Sequence, residues 1–444
     1  MSGEQITLGF EQMVESTAEK MLLSAKRSLT ERSGVHAWHP YYAGYSERFV
    51  ESALEFLGCD HETLIFDPWG GSGTTGMVAS KNGSPALCLD INPVMATFAA
   101  AKSYTVLAHA EDIEDFFFSL SRKLPSDNNL LEKESITKIF VPESASLIRS
   151  VIESIPGTAH LDEGIDKIDA QVLDACRDPN QLINPIYAFC MAVIFVTIRR
   201  LSGTVTMANP TWLRTNDIKV CIDKTEFFSE VRISANNMLM DLRDFFRGRN
   251  ISASNYAIAG DSRAMPIKEA AVDVIITSPP YLTRIDYAVS TMPELYLFGG
   301  DDLLTFVRHQ TMGAPVITKR EKEQKKEWGT LCNKVLDAIR MHGTKAAESY
   351  YWKNIVQYFM DLDAALTESY RVLKAGGKGL IVVQSSYFKD IEIPLGEIYQ
   401  EMASIKGFVS QISFREEVKG HMAHVNTRSN IYKHNRFITK TLYM

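Results

Sequence analysis

Apolar residues in the first hundred positions follow two different spacings. Residues 46–58 carry apolar side chains at helical intervals, whereas the runs at 63–66 and 86–89 are short and almost unbroken. Helical intervals predict an amphipathic helix, and a short unbroken run predicts a buried strand. A glycine-rich turn and a second helix lie between the two runs, so residues 31–102 predict a βαβ unit.

Residues 103–250 change to helical periodicity with few β-branched runs. Apolar positions recur at helical spacing in four segments, namely 110–124, 143–155, 184–201 and 227–246. A proline and a tryptophan interrupt this pattern at 208–214, which is typical of a loop. The region 103–250 therefore predicts a mostly helical insertion.

The pattern returns to strands and helices in residues 251–444. Apolar runs predict strands at 256–259, 272–277, 379–383, 408–414 and 436–442. Helical spacing at 352–373 predicts a helix, and Gly376 and Gly377 after it predict a glycine C-cap before a core strand. Residues 1–102 and 251–444 thus predict two halves of one α/β sheet, with the insertion between them.

Composition and charge limit the class of protein. The chain has 444 residues, which is more than a typical single domain and fits a core with a large insertion or a second domain. The apolar share of 45% and the charged share of 23% predict a folded globular protein. The net charge of -7 does not exclude nucleic acid as a partner, because only a local basic face has to meet phosphates.

Neither a membrane segment nor a metal site is expected. The most apolar stretch, 186–198, is shorter than the roughly 20 residues of a membrane-spanning helix. The first residues lack the basic flank and apolar run of a secretory signal, so we expect a cytoplasmic protein. The six cysteines form no CxxC pair and have no histidine at metal spacing, which favours reduced structural thiols.

Asp67 ends the first predicted strand and is followed by a run of glycines. Open α/β sheets bind ligands at this place, the carboxyl end of a strand. A P-loop needs a lysine after the glycines, but Thr74 follows Gly73; the spacing that begins at Gly71 does satisfy the dinucleotide pattern GxGxxG. Asp67 favours another ligand, because a carboxylate repels a pyrophosphate but can pair with the amino-acid end of S-adenosylmethionine.

Two more aspartates lie at the ends of later predicted strands. Asp90 comes about 20 residues after the glycine turn, where an acid can accept both hydroxyls of a ribose. Asp261 follows the strand at 256–259 and could accept the amino group of adenine. Each aspartate taken singly also fits a helix N-cap. Three acids at successive strand ends favour an adenosine site.

The strand at 272–277 leads into Ser278, Pro279, Pro280 and Tyr281. Methylating an exocyclic amine requires its delocalised lone pair to be freed, and the Ser278 oxygen and the Pro279 carbonyl could accept the amino hydrogens. Prolines hold such a loop still, and Tyr281 offers a face for an extruded base. The alternative is an ordinary proline-rich turn. Methylation of a cytosine ring carbon is disfavoured, because it uses a thiolate that typically follows a proline, and no proline in this sequence is directly followed by a cysteine.

These motifs resemble those of the amino-group DNA methyltransferases, which modify cytosine N4 or adenine N6. The resemblance rests on residues 67–75, on Gly260 with Asp261, and on Thr277 to Tyr281; the serine at 278 is similar to the cytosine-N4 branch, whereas the adenine branch more often has an acid there. A tryptophan, Trp69, replaces the usual phenylalanine. Residues 36–41 resemble the family's first cofactor-contacting segment.

The resemblance implies a Rossmann-like sheet, S-adenosylmethionine as cofactor, and double-stranded DNA as partner with base flipping. A restriction-modification or defence context, with a cognate nuclease or a defence-system subunit, is also implied. The expected cofactor-binding residues are Asp67, Pro68, Gly70, Gly71, Gly73, Thr74, Asp90, Asp261, His39 and Pro40. The expected catalytic residues are Ser278, Pro279, Pro280 and Tyr281.

Several segments are candidates for DNA contact. They are residues 209–216, Arg199 with Arg200, the segment 287–351 with its basic run 319–326, and the basic stretch 415–436. The run 319–326 also fits a solvated helix with internal ion pairs. Three other functions remain open: adenine-N6 methylation, guanine-N2 methylation of RNA, and a catalytically silent DNA-binding subunit.

Overall fold

A computed structural model describes residues 22–28, 31–40, 44–123, 134–157, 168–206, 213–214, 218–249, 251, 253–283, 285–417 and 438–444. Within these ranges the largest sheet has seven strands, numbered here in chain order. They are β1 Ile65–Asp67, β2 Ala86–Asp90, β3 Asn255–Ala259, β4 Val272–Thr277, β5 Leu373–Gln384, β6 Gln411–Glu417 and β7 Ile438–Tyr443. Each strand overlaps a run that the apolar pattern predicts.

The strands lie side by side in the order β6, β7, β5, β4, β1, β2, β3. All run parallel except β7, which is antiparallel to both β5 and β6. The chain goes from β1 to one side of the sheet and later returns to β4 on the other side. Open α/β sheets bind ligands where the strand order reverses in this way. The predicted Rossmann-like fold is confirmed, and the loops after β1 and β4 meet at its switch point.

Helices cover both the sheet and its edges. The α-helices are α1 Glu47–Leu57, α2 Thr74–Lys81, α3 Pro93–Ala101, α4 Thr105–Ala108, α5 Ala110–Lys123, α6 Pro142–Glu153, α7 Ala170–Ala175, α8 Pro185–Leu201, α9 Lys224–Phe245, α10 Tyr287–Ser290, α11 Met292–Phe298, α12 Gly300–Gln310, α13 Thr330–Met341, α14 Lys353–Val372 and α15 Leu395–Lys406. Ser46 caps α1 by accepting a hydrogen bond from the Phe49 N–H, and Gly58 ends it in the left-handed region, as its sequence predicts.

The helices between β2 and β3 share an apolar core with the sheet. Phe98 of α3 and Phe195 of α8 pack with ring centroids 5.8 Å apart, and Ala257 of β3 and Leu295 of α11 belong to the same cluster. The apolar run 186–198 is therefore a buried helix. Residues 182–183 also bond to the free side of β3, where the Ile183 N–H donates to the Ala257 carbonyl over 2.9 Å, which covers an otherwise open edge.

Two local predictions are wrong. Helix α14 ends with Leu373 in an extended conformation, and β5 begins at that residue, so the glycines do not cap the helix. Gly376 instead takes its positive φ of 78° within the strand's irregular first half. Residues 319–325 are not helical, and a single 3-10 turn follows at Lys326–Trp328.

The remaining small elements lie around the sheet. Two-residue strands pair at 205–206 and 213–214, and a short antiparallel ladder joins Ser386–Phe388 to Ile391–Ile393. In the described ranges no helix has the length and apolar character needed to cross a bilayer. The same ranges hold no cluster of three or more histidine, cysteine, aspartate or glutamate side chains suited to a metal ion.

Candidate active site

A cleft opens at the carboxyl ends of the central strands. It encloses about 800 Å³, including space open to solvent. Of the residues that the sequence singles out, its lining includes Pro68, Asp90, Asp261, Ser278, Pro279, Pro280 and Tyr281. Its other walls include Trp69, Asn92, Arg263, Tyr287 and Gln310, none of which the sequence predicted as a cofactor-binding or catalytic residue.

Asp67 lies beneath this cleft and is only 2% exposed. Its carboxylate accepts hydrogen bonds from the hydroxyls of Tyr45 (2.9 Å) and Thr75 (2.5 Å). It also accepts from the Thr277 hydroxyl (2.5 Å) and the Trp69 N–H (3.1 Å). Burial raises the pKa of Asp67, and these donors counteract part of the rise. Because internal donors occupy both of its oxygens, Asp67 ties together the loops that form the cleft and is absent from its lining.

Thr277 joins the two sequence motifs physically. It is the last residue of β4, which pairs with β1, so its side chain reaches Asp67 at the neighbouring strand end. The loop that begins at Ser278 and the glycine loop are thus both held by one buried carboxylate. The sequence shows that a threonine precedes the Ser-Pro-Pro-Tyr run. Only the pairing of β4 with β1 shows that its hydrogen-bond partner is Asp67.

The glycines are required by packing. A Cβ on Gly70 would lie 2.7 Å from the Cβ of Cys88, and a Cβ on Gly73 would lie 2.7 Å from the Cα of Ala99. Gly73 also has a φ of 84°, which side-chain-bearing residues rarely adopt. Close packing of the loop on β2 and α3 therefore requires Gly70 and Gly73, and Gly70, Gly71 and Gly73 are absent from the cleft lining.

Asp90 is the last residue of β2 and faces the cleft. One of its oxygens accepts from the Gly71 N–H (2.9 Å), and the other accepts from the Asn92 N–H (2.8 Å). Burial raises the pKa of Asp90 to about 6 despite these hydrogen bonds. An ionised carboxylate has lone pairs beyond the two used here, so Asp90 can accept further hydrogen bonds from a ligand hydroxyl.

Asp261 is held by an arginine that the sequence analysis did not single out. The Arg263 guanidinium donates to Asp261 through Nε (2.9 Å) and Nη2 (2.6 Å). Its Nη1 donates to Asp361 of α14 (2.9 Å), and Nη2 also reaches the side-chain oxygen of Gln310 (2.6 Å). Burial opposes the charge of Arg263, but its bonds to Asp261 and the charge of Asp361 raise its pKa above the usual value. Asp261 is consequently fixed in orientation at one end of the cleft.

Ser278 and Tyr281 form the other end. The Ser278 hydroxyl oxygen lies 3.1 Å from the Val382 carbonyl, a possible acceptor for its proton, and 3.1 Å from the Tyr281 hydroxyl. With its single proton donated, a serine oxygen retains lone pairs that can accept. Burial raises the pKa of Tyr281, and its hydrogen bond with Ser278 only partly opposes this shift, so the phenol is neutral near pH 7.

A hydrogen bond from α14 holds the proline loop in place. The Tyr358 hydroxyl donates to the Pro280 carbonyl over 3.0 Å and lies 2.9 Å from the hydroxyl of Tyr399. Among the described residues none donates a hydrogen bond to the Pro279 carbonyl, and Pro279 lines the cleft. The loop therefore offers two oxygens to a ligand, one on Ser278 and one on Pro279.

Three further predicted cofactor residues, like Asp67 and the glycines, are absent from the cleft lining. His39 is buried against Phe98 with ring centroids 5.3 Å apart, and its Nε2 lies 3.3 Å from Arg199. Burial and the Arg199 charge lower the pKa of His39 well below its usual value. Pro40 is exposed outside the lining, and the buried Thr74 hydroxyl accepts from Arg27 over 3.2 Å.

A buried lysine supports the glycine loop. Lys102 is 1% exposed, and its ammonium donates to the Ser72 carbonyl over 2.8 Å. Burial lowers the pKa of Lys102 to about 7. A lysine after an apolar helix ordinarily suggests a surface position, so the sequence carried no sign of this contact.

The predicted DNA contacts are only partly described. Arg199 is not free to meet a phosphate, because its guanidinium donates to both carboxylate oxygens of the buried Glu294 over 2.7 and 2.6 Å. Arg200 pairs with Glu230 over 2.9 Å. Most of residues 209–216 and 418–436 lie outside the described residues. The helical interpretation of 319–326 is wrong, and its phosphate role stays a prediction.

Known proteins provide two comparisons. The chain is 23% identical over 416 residues to the type II methyltransferase M.BsoBI of Geobacillus stearothermophilus, covering 84% of this chain and 78% of that protein. A structural match to the rRNA methyltransferase aviRa of Streptomyces viridochromogenes spans 95% of this chain and 96% of that protein, at 10% identity and a TM-score of 0.30. This likeness is too weak to bear on fold or function. No family model matches.

The sequence relative and the sheet topology agree on the kind of chemistry. Methyltransferases with this fold use S-adenosylmethionine as methyl donor, and the lining of the cleft includes Asp90 and Asp261, which follow β2 and β3. The similarity over 84% of the chain, together with this fold, supports the methyltransferase family.

Proposed function

We propose that this protein transfers a methyl group from S-adenosylmethionine to the exocyclic amino group of a base in double-stranded DNA, with cytosine N4 the favoured target. The observation that carries the proposal is the pair of acceptor oxygens on Ser278 and Pro279 in one cleft with Asp90 and Asp261. The relative's designation as a type II methyltransferase agrees with a DNA substrate.

The residues present fit the cofactor. Asp90 would accept the ribose hydroxyls and Asp261 the adenine amino group, while Asp67 acts through the loops that it fastens. When bound, S-adenosylmethionine supplies an electrophilic methyl group on a sulfonium. Trp69 and Met95 add apolar surface to the same wall, which excludes water from the sulfonium.

Ser278 and Pro279 would act on the amine. Two acceptors that take the two amino hydrogens draw the nitrogen towards tetrahedral geometry and aim its lone pair at the methyl carbon. The amine would take the methyl group with S-adenosylhomocysteine as the leaving group, and the surplus proton would pass to water in the open cleft. Tyr281 would stack on the flipped base, and the Tyr358 bond to the Pro280 carbonyl keeps the loop rigid.

The identity of the base rests on position 278. A neutral serine accepts from one amino hydrogen without adding charge, and the cytosine-N4 enzymes that this motif resembles have serine there. Adenine N6 is the second candidate, because its amino group presents the same two hydrogens. A restriction-modification or defence setting, with a separate nuclease or subunit as partner, follows from the same resemblance.

Nucleoside mass spectrometry of plasmid DNA from cells expressing the protein tests this function. We expect N4-methylcytosine with the wild-type chain and none with Ser278→Ala, because the alanine removes one acceptor of the amine. Ser413→Ala, an exposed change on β6, is the matched control and should methylate normally. Purified Ser278→Ala should also bind S-adenosylmethionine as tightly as wild type.

The other outcomes are distinct. N6-methyladenine would retain the mechanism and overturn the choice of base. Methylated guanine in RNA with unmodified DNA would move the substrate to RNA. No methylation of either nucleic acid, with cofactor binding intact, would contradict a self-sufficient enzyme and favour a silent subunit.

A further inference from the structure

Gln310, the last residue of α12, presents an oriented hydrogen-bond donor to the cleft. Arginine only donates, so the atom of Gln310 that lies 2.6 Å from Arg263 Nη2 must be the amide oxygen. The amide nitrogen is therefore turned away from the guanidinium. Within the described part of the chain this nitrogen has no acceptor, and Gln310 lines the cleft.

The same guanidinium nitrogen places a carboxylate beside this donor. Arg263 Nη2 lies 2.6 Å from Asp261 Oδ2 as well as 2.6 Å from the Gln310 oxygen. Asp361, on the opposite side of Arg263, accepts from Nη1 over 2.9 Å and keeps the guanidinium in place. One partly buried arginine thus orders an acceptor, Asp261, and a donor, the Gln310 amide nitrogen, side by side.

An acceptor next to a donor matches one kind of heterocycle edge. Adenine offers an amino group beside a ring nitrogen that accepts, which complements this pair. Hypoxanthine offers the reverse, a carbonyl oxygen beside a ring N–H. The pair therefore selects against the reversed pattern, since a mismatched buried polar group loses its hydrogen bond.

The position of the pair favours the cofactor over the target base. Asp261 follows β3, whereas Ser278 follows β4, and β2 and β1 lie between these strands. Three strand spacings amount to about 14 Å, which separates the end that holds the adenine from the end that holds the reacting amine.

We propose that Gln310 reads the adenine ring of S-adenosylmethionine, donating from its amide nitrogen to a ring nitrogen while Asp261 accepts from the amino group. This inference rests on the proposed function, because it takes the cleft to be the cofactor site. Arg263 is the positioning residue that sets both side chains. Gln310 thereby determines specificity for the purine.

Calorimetry with S-adenosylhomocysteine and its hypoxanthine analogue, without DNA, measures this role directly. Gln310→Glu keeps an oxygen for Arg263 but replaces the donor with an acceptor. We expect its affinity for S-adenosylhomocysteine to fall about tenfold or more, the worth of one hydrogen bond. Affinity for the hypoxanthine analogue should not fall. Gln181→Glu makes the same change at an exposed position and should leave both affinities unchanged.

A double variant tests the pattern itself. Asp261→Asn with Gln310→Glu has the net charge of wild type but reverses donor and acceptor. We expect it to prefer the hypoxanthine analogue over S-adenosylhomocysteine, which a merely structural role for Gln310 would not produce. If Gln310→Glu does not fold, Gln310→Met removes donor and acceptor together and should reduce the discrimination between the two ligands.

The outcomes separate this inference from the proposed function. A folded Gln310→Glu protein that binds S-adenosylhomocysteine as wild type does would overturn the role of Gln310. The same unchanged binding with an altered methylated base would assign Gln310 to the target base and equally overturn it. Failure of the wild-type chain to bind S-adenosylhomocysteine would contradict the proposed function itself.

Discussion

Asp90 holds two segments of the chain in place and also lines the cleft. It orders the glycine loop through the Gly71 N–H and the following helix through the Asn92 N–H, and still faces the cleft. Burial raises its pKa to about 6. Asp90 therefore loses its proton only slightly below neutral pH, whereas an exposed aspartate does so at a lower pH.

Cofactor affinity should therefore depend on pH through Asp90. The raised pKa means that the neutral form gains population as pH falls through about 6, and a neutral carboxyl accepts fewer hydrogen bonds from ribose hydroxyls. We expect the affinity for S-adenosylhomocysteine, measured by calorimetry from pH 5 to 8, to fall on the acid side. Asp90→Asn should bind more weakly throughout and lose this dependence. A wild-type profile that is flat across pH 6 would contradict the ribose role.

At the level of elements, β1 and β4 are joined by more than backbone pairing. The Asp67 carboxylate at the end of β1 receives hydroxyls from Tyr45, Thr75 and Thr277, the last from the end of β4. A buried carboxylate of this kind is stable only when its lone pairs are satisfied. The glycine loop after β1 and the loop at residues 278–281 after β4 thus share one anchor.

Asp67→Asn should loosen both loops at once. The amide keeps one acceptor but turns a donor towards hydroxyls that also donate, so at least one buried group loses its partner, which costs about 1–3 kcal/mol. We expect a lower free energy of unfolding in denaturant titrations and weaker cofactor binding in the same variant. Asp174→Asn, on an exposed face of α7, provides the control. Full stability combined with lost binding would restore a direct ligand contact for Asp67.

Across the whole molecule, the helices between β2 and β3 are part of the same body as the sheet. Residues of α3, α8, α9 and β3 occupy one apolar cluster. The Trp38 indole N–H donates to Asp241 of α9 over 2.9 Å, which ties a segment before β1 to the insertion. Removing the insertion would expose the large apolar side chains that it covers.

A chain in which a short linker replaces residues 103–250 should consequently fail to fold. We expect it to lack a cooperative thermal transition by circular dichroism and to bind no S-adenosylhomocysteine. The full chain, studied in the same buffer, is the reference. A shortened chain that unfolds cooperatively and binds the ligand would establish the insertion as a separate domain.

The sequence was sufficient for the elements because local spacing determines them. Periodicity predicted a run that overlaps each strand of the main sheet, and the helix predicted at 46–58 is α1. It failed at Leu373, where β5 continues the chain directly without a glycine cap. Competition from strand pairing, which is not local, decided that boundary.

For the site, the sequence by itself determined which residues end the strands, and hence that Asp90, Asp261 and Ser278 share one edge of a parallel sheet. Only the tertiary structure decided that Asp67 faces inward, that Arg199 is bound to Glu294, and that Gln310 meets Arg263. Strand ends follow from local pattern, whereas side-chain partners far apart in the chain depend on strand order and packing.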